Sequence, residues 1–285
     1  MITGGTVGRM STFTIGGDLT VGRLGYGVMQ LTGPGFVGYP ADQDNAIAVL
    51  RRAIELGVTL IDTADAYGPL VTDDLIRRAL HPYPENLVIA TKVGVTRPRA
   101  GEWVPVGRPE YLRQQTELSL RTLGLERIDL LQLHRVDPQV PIEDQVGTLA
   151  DLRREGKVRH VGLSEVTVEQ IRAAQAVTPI AAVQNLYNLT NRAAEDVLDY
   201  AEREKIAFLP WYPLAGTGMA DPGGAFATTA TRHGASLNQL ALAWLLRRSP
   251  VILPIPGTSS VAHLEENLAA SDIDLTAEEF ARLTR

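Results

Sequence analysis

Four side chains of this sequence have the types and spacing to protonate an oxygen together: Asp62, Tyr67, Lys92 and His134. Each sits at or just past the end of an apolar, strand-like run, in Val58-Thr-Leu-Ile-Asp62, Asn86-Leu-Val-Ile-Ala-Thr-Lys92 and Ile128-Asp-Leu-Leu-Gln-Leu-His134. A phenol ordinarily titrates near pH ~10, so Tyr67 donates a proton at neutral pH only if neighbours stabilise the phenolate. Lys92 is expected to lower the Tyr67 pKa, and Asp62 to keep Lys92 charged and oriented through an ion pair. His134 would fix a carbonyl by hydrogen bonding or pass the proton. None of the four is a convincing nucleophile, and the chain has neither a Gly-x-Ser-x-Gly elbow nor paired histidines at metal-ligand spacing. No metal is expected, and the electrons must come from a cofactor. Taken singly, each residue has a plainer reading: a cap, a turn aromatic before Gly68-Pro69, a surface lysine, a satisfied buried imidazole. Convergence on one rim is what favours a site.

Such convergence requires parallel strands. Apolar runs end near Gln30, Asp62, Lys92, His134, Ser164, Gln184, Pro210 and Pro256, the count that a closed barrel needs. Helical periodicity covers 45–56, 70–80, 109–123, 142–155, 167–177, 191–204, 237–247 and 260–270. This alternation predicts an α/β fold, a single (β/α)8 TIM barrel with a parallel sheet inside and helices outside. A doubly wound sheet would want Gly-x-Gly-x-x-Gly after its first strand, and none occurs. Residues 11–22, with Gly16-Gly17-Asp18 at the turn, read as a β-hairpin plugging the barrel floor. Residues 1–10 read as a flexible leader, 11–285 as one barrel domain, and the C-terminus as a short helical tail.

Composition narrows the partner. Net charge −6, with no Lys/Arg run longer than two, argues against nucleic acid or an anionic membrane and for a small molecule. Without cysteine, disulfides, thiolate metal sites and thiol nucleophiles are excluded. The N-terminus lacks an apolar signal core, and the longest apolar stretch, Leu240 to Leu246, is too short to span a bilayer, so a cytoplasmic location is expected. Oligomeric state is not written in the sequence.

At Ile61-Asp-Thr-Ala-Asp-Ala-Tyr-Gly68, Thr91-Lys92, Leu131-Gln-Leu-His134 and Gly162-Leu-Ser164 the chain resembles the aldo-keto reductases. The likeness extends through Gln184-Asn-Leu-Tyr-Asn188, Pro210-Trp-Tyr-Pro-Leu214 and Ile255 to Asn267. The resemblance implies a (β/α)8 barrel that moves hydride between a nicotinamide cofactor and a carbonyl, with Tyr67 as general acid, Lys92 and Asp62 tuning it, and His134 orienting the carbonyl. It also implies a cofactor set. Trp211 would stack on the nicotinamide, and Ser164 and Gln184 would meet its carboxamide, although Glu165 stands where the family usually has Asn. The Pro213-Leu-Ala-Gly-Thr-Gly218 loop, with Leu214, Gly216 and Gly218, would cross the pyrophosphate. Gly257, Thr258 and Ser259 would hold phosphate oxygens, Glu266 and Asn267 would meet the adenine, and Gly27, Met29, Asp62 and Ile255 complete the set. NADPH is expected by family habit. NADH stays open, because no Lys or Arg lies between Gly257 and Asn267 and only His263 supplies partial charge.

Rim loops 31–41, 64–69, 93–108 and 212–225 are expected to form the substrate pocket, with Met29, Tyr67, Trp103 and His134 contacting a small carbonyl compound. With the last helix so close to Arg285, the pocket is expected to be open. Met29-Gln-Leu-Thr-Gly-Pro-Gly35, Tyr67-Gly-Pro-Leu-Val-Thr72 and His81-Pro-Tyr83 look closest to bacterial pyridoxal reductases, which reduce a pyridine aldehyde to pyridoxine. A reductase of a keto or enone intermediate of secondary metabolism, and a non-catalytic subunit that senses bound nicotinamide, are the other readings.

Overall fold

Side-chain alternation along short parallel strands builds this molecule. The computed structural model describes residues 11–214 and 224–284, so the expected leader and Gly216 and Gly218 lie outside the described residues. A hairpin of β1 (Thr12–Ile15) and β2 (Leu19–Gly22) comes first, turning through Gly16 and Gly17 at φ 61° and 87°. The sheet strands are β3 (Tyr26–Gly27), β4 (Leu60–Asp62), β5 (Val88–Val93), β8 (Ile128–Leu133), β9 (Val158–Ser164), β10 (Ile180–Gln184) and β11 (Ala207–Phe208). They pair in parallel in the order β11-β10-β9-β8-β5-β4-β3. A second small hairpin, β6 (Val95–Thr96) with β7 (Val104–Pro105), folds the loop after β5.

The eighth barrel position is filled by residues 251–257, which join both free edges by single bridges, Phe208 to Ile252 and Gly27 to Gly257. Phe208 N donates to Val251 O at 2.9 Å and Leu253 N to Phe208 O at 2.8 Å, while Gly25 N donates to Pro254 O at 2.9 Å. Pro254 and Pro256 have no N–H to return, which is why the closing segment is stitched rather than laddered. At this seam Gly27 has no substitute: a Cβ there would lie 2.7 Å from Ile255 O. The ring expected from the run count is therefore closed, with seven laddered strands and one proline-interrupted one.

Helices α1 (Gln43–Glu55), α2 (Val71–Leu80), α3 (Pro109–Leu123), α4 (Ile142–Arg154), α5 (Val168–Gln175), α6 (Glu195–Glu204), α7 (Ala225–Arg232), α8 (Leu237–Arg248) and α9 (Val261–Leu268) surround it, and α10 (Ala277–Thr284) is the tail. Their starts are written in the sequence: Asp42 caps α1, and Thr167 with Gln170 and Ser236 with Gln239 form capping boxes on α5 and α8. Inside the barrel, Leu60, Val88, Ala90, Leu130, Ala182 and Leu253 pack on Ile15, Leu19 and Val21, so the hairpin does plug the floor. Two residues further along the same faces stand Asp62, Lys92, Gln132 and Gln184. The period of two thus turns an apolar floor into a polar rim.

Three local expectations differ from what is seen. The first strand stops at Gly27, and Met29–Leu31 is a 3-10 turn rather than strand to Gln30. Helix α6 begins at Glu195 because Asn188 Oδ1 accepts from the backbone N–H groups of Thr190 and Asn191, tying 188–191 into a turn. Helix α7 begins at the end of the loop expected over 212–225 and fills a stretch for which no helix was expected. No helix among the described residues is long and apolar enough to cross a membrane.

Candidate active site

The rim residues converge on one cleft of about 720 Å³ at the C-terminal end of the barrel. Lys92 is its electrostatic centre. Its ammonium, 1% exposed, donates to Asp62 Oδ2 at 2.6 Å, to Thr63 O at 2.9 Å and to Tyr67 Oη at 3.1 Å. Asp62 Oδ1 accepts in turn from Gln132 Nε2 at 3.2 Å and Gln184 Nε2 at 2.9 Å, so the buried carboxylate is satisfied on both oxygens. Tyr67 is carried by the loop after β4, held by Tyr67 N donating to Ala64 O. His134, immediately after β8, lies edge-on to Tyr67 and to Trp103, each 6.0 Å away between centroids.

Burial sets the protonation states. It pushes the Tyr67 phenol above its usual 10, outweighing the downward pull of Lys92, with Asp62 adding to the rise. The expected lowering of Tyr67 is therefore corrected: with the phenol buried at the foot of the cleft, desolvation outweighs the lysine and the proton stays on. For Lys92, burial favours the neutral form, but the charges of Asp62 and Tyr67 overcome it and its pKa is raised. His134 falls well below 6.5 because it is buried and faces Lys92, Arg135 and Arg97, which leaves a neutral imidazole whose Nδ1 has no partner.

Of the residues expected to meet cofactor, Gly27, Met29, Asp62, Ser164, Gln184, Trp211, Pro213, Leu214, Ile255 and Gly257 line this cleft with Tyr67, His134 and Trp103, while Lys92 stands behind them, bonded to Asp62 and Tyr67. Thr258, Ser259, His263, Glu266 and Asn267 lie past it, at the start of α9 and along it. There Tyr26 Oη donates to Thr258 O at 2.6 Å, Asn45 Nδ2 donates to Ser259 O at 2.8 Å, and Ser260 rather than Ser259 caps the helix. Asn267 is buried, 3% exposed, and Glu266 O accepts from Gln239.

Hydrogen-bond polarity at the top of the barrel suits a carboxamide. Gln184 Nε2 is spent on Asp62 and, at 3.3 Å, on Gln132 Oε1, which leaves Gln184 Oε1 to accept. Ser164 Oγ accepts from Arg135 at 3.0 Å, which leaves its O–H to donate. Glu165, at the position where the family usually has Asn, has one oxygen committed within the protein. Its backbone is left-handed at φ 54°, and its Oε1 accepts from Trp211 Nε1 at 2.5 Å and Leu186 N at 2.6 Å.

Several wall residues were not singled out in the sequence. Phe36, Arg135 and Tyr212 also border the cleft. Arg97 lies 3.7 Å from the Trp103 ring and donates to Gly35 O, Phe36 O, Ala66 O and Glu102 O, binding three rim loops together. Phe36, Arg97 and Tyr212 lie in loops named as pocket-forming, and beyond that nothing marks these residues in one sequence.

Comparison with known proteins agrees with this geometry. An uncharacterized oxidoreductase of Schizosaccharomyces pombe is 51% identical over 267 residues, covering 94% of this chain and 87% of that protein. Pyridoxine 4-dehydrogenase of Escherichia coli is 44% identical over 279 residues, covering 96% and 97%. The crystal structure of an aldo-keto reductase from Klebsiella pneumoniae in complex with NADPH superposes with a TM-score of 0.80 at 28% identity, covering 96% of this chain and 94% of that one. The model of the aldo/keto reductase family matches residues 23–285, nearly the whole length over which the barrel and its rim have been traced, and the chain belongs to that family.

Proposed function

We propose that the protein reduces a small aromatic aldehyde to its alcohol with NADPH, and that pyridoxal, converted to pyridoxine, is its substrate. The observation that carries this reading is the Tyr67 phenol, 3.1 Å from the ammonium of a Lys92 that is ion-paired at 2.6 Å to Asp62. When bound, the reduced nicotinamide supplies the hydride. The chain's own residues do the rest. Trp211 offers the flat face, and Ser164 and Gln184 offer one donor and one acceptor, the complement of a primary amide. Tyr67 gives its proton to the substrate oxygen, and Lys92 stabilises the phenolate left behind, an interaction that grows as the charge forms. Asp62, held by Gln132 and Gln184, keeps Lys92 aimed. His134, neutral, orients the carbonyl without competing for the proton.

Phe36, Trp103 and Tyr67 surround the substrate end with aromatic faces, which fits a planar ring. The E. coli relative's name supports a vitamin B6 aldehyde over a keto intermediate of secondary metabolism. The intact set of tuned groups supports catalysis over sensing. Following nicotinamide absorbance with NADPH and NADH, pyridoxal should be reduced with higher kcat/KM than 4-nitrobenzaldehyde. Equal or reversed efficiencies would remove the pyridoxal assignment, and no turnover of any aldehyde would remove the reductase reading.

A further inference from the structure

Arg135 stands in the cleft with work left to do. It follows His134 directly, and its Nη1 donates to His134 O at 2.6 Å and to Ser164 Oγ at 3.0 Å. Those two bonds anchor one nitrogen only. Among the described residues Nε and Nη2 have no hydrogen-bond partner and Arg135 forms no ion pair, although the residue is half-buried and lines the cleft. A guanidinium is weakly hydrated, permanently charged and shaped as a fork, so one anchored at a single tine presents the others to a planar oxyanion.

The charges around it are otherwise matched. Asp62 is paired with Lys92 at 2.6 Å. Glu165 acts on Arg135 through space, yet its Oε1 is committed to Trp211 and Leu186. The other walls expected at the substrate end are the aromatic Phe36, Tyr67, Trp103 and neutral His134, with the uncharged Met29. An aromatic pocket with one under-used cation is complementary to an aromatic ring that carries an ionised oxygen.

We infer that Arg135 is a specificity residue that takes an acidic oxygen, a phenolate or carboxylate, placed beside the reacting carbonyl of an aromatic aldehyde. This deepens the proposed function and rests on it. The 3-oxygen of a 3-hydroxypyridine-4-aldehyde has that placement, whereas an unsubstituted benzaldehyde offers the guanidinium nothing. Arg135 then both selects the substrate and fixes the ring so that the carbonyl oxygen faces Tyr67.

The test compares wild type with Arg135→Met, which keeps the stem and removes the fork, and Arg135→Lys, which keeps only the charge. With NADPH, kcat/KM is measured for 2-carboxybenzaldehyde and benzaldehyde, and for pyridoxal and pyridine-4-carbaldehyde. Arg135→Met should lose at least about tenfold on the acidic member of each pair and less than about threefold on the neutral one, as a charged hydrogen bond removed from one of them predicts. Arg135→Lys should recover part of that loss. Because Arg135 also bonds Ser164, every kcat/KM is taken at saturating NADPH, with the NADPH dissociation constant of each variant read by tryptophan fluorescence. Equal losses on both members at saturating NADPH would assign Arg135 to the cofactor end and overturn the inference. Calorimetric titration of benzoate and benzamide into the wild-type and Arg135→Met NADPH complexes gives a readout that needs no turnover. Selective weakening of benzoate in the variant supports the inference, and identical binding overturns it. Failure of the reductase reading shows separately, as absence of turnover with every aldehyde.

Discussion

Trp211 Nε1 is 2.5 Å from Glu165 Oε1, and the same oxygen accepts from Leu186 N at 2.6 Å, so one carboxylate ties the tryptophan loop to the end of β10. A residue that family habit would give to the cofactor is used here to fix the plane of the indole. Glu165→Ala should weaken NADPH binding by about tenfold, the worth of one charge-assisted hydrogen bond, while kcat at saturating NADPH falls much less. Fluorescence titration beside steady-state kinetics checks this, and loss of kcat with unchanged affinity would show that Glu165 acts elsewhere.

Tyr67→Phe removes the proton and keeps the ring that packs on Trp103. Aldehyde reduction should fall by about a hundredfold to ten-thousandfold, the range for deleting a general acid, with NADPH affinity nearly unchanged. Lys92→Met should be comparably damaging, since it also leaves Asp62 buried without its cation. Turnover near wild type in Tyr67→Phe would overturn the acid assignment.

The pH profile of reduction follows from the same residues. A general acid works while protonated, and burial holds Tyr67 above 10, so kcat/KM should stay level from neutrality and decline only above pH 10. His134 is held well below 6.5, so no acid limb should appear near that pH. A limb centred near pH 6.5 would show that His134 gains its proton in the working enzyme.

Arg97 holds Trp103 against the loops that carry Gly35, Phe36 and Ala66. Arg97→Ala should raise KM for aromatic aldehydes several-fold and leave kcat and NADPH affinity closer to wild type, because it loosens a wall and not the tetrad. Arg97→Lys restores the charge without the fork and should recover only part.

Beneath Lys92, Asp65 and Asp73 are fully enclosed. Burial raises both carboxyls, Asp73 to about 6, and the charge of Asp73 lifts Asp65 further. A carboxyl whose folded pKa is raised stabilises the fold fully below its unfolded value near 3.8, and that contribution is lost as pH climbs through about 6. Asp73→Asn keeps an oxygen for the Thr63 hydroxyl at 2.9 Å and removes the titration. It should therefore stabilise the protein more at pH 7.5 than at pH 4, by up to about 3 kcal/mol, measured by urea unfolding at both values. An equal effect at both would refute it.

What could be read ahead of the structure follows from which forces are local. Asp62 and Lys92 were legible because they end apolar runs that read as parallel strands, and Ser164 and Gln184 through the family resemblance; the period of two then explains why all four share the barrel's inner face. Loop contacts were not. Phe36, Arg97 and Tyr212 reach the cleft only through chain reversals whose geometry depends on one another, and Arg135 looks like any arginine beyond a strand. The Tyr67 proton was misjudged for a related reason: the neighbouring lysine is visible in the sequence, whereas the depth of burial is not. Glu165 was visible as a departure, but its destination required seeing Trp211 beside it.

The proline-interrupted segment 251–257 carries a consequence for assembly of the chain. Until it docks, β3 and β11 are both raw sheet edges with unsatisfied backbone groups. A nascent or truncated chain ending near Arg248 would offer those edges to other copies of itself. The segment that closes this ring thus also covers its two open edges, and does so with few bonds.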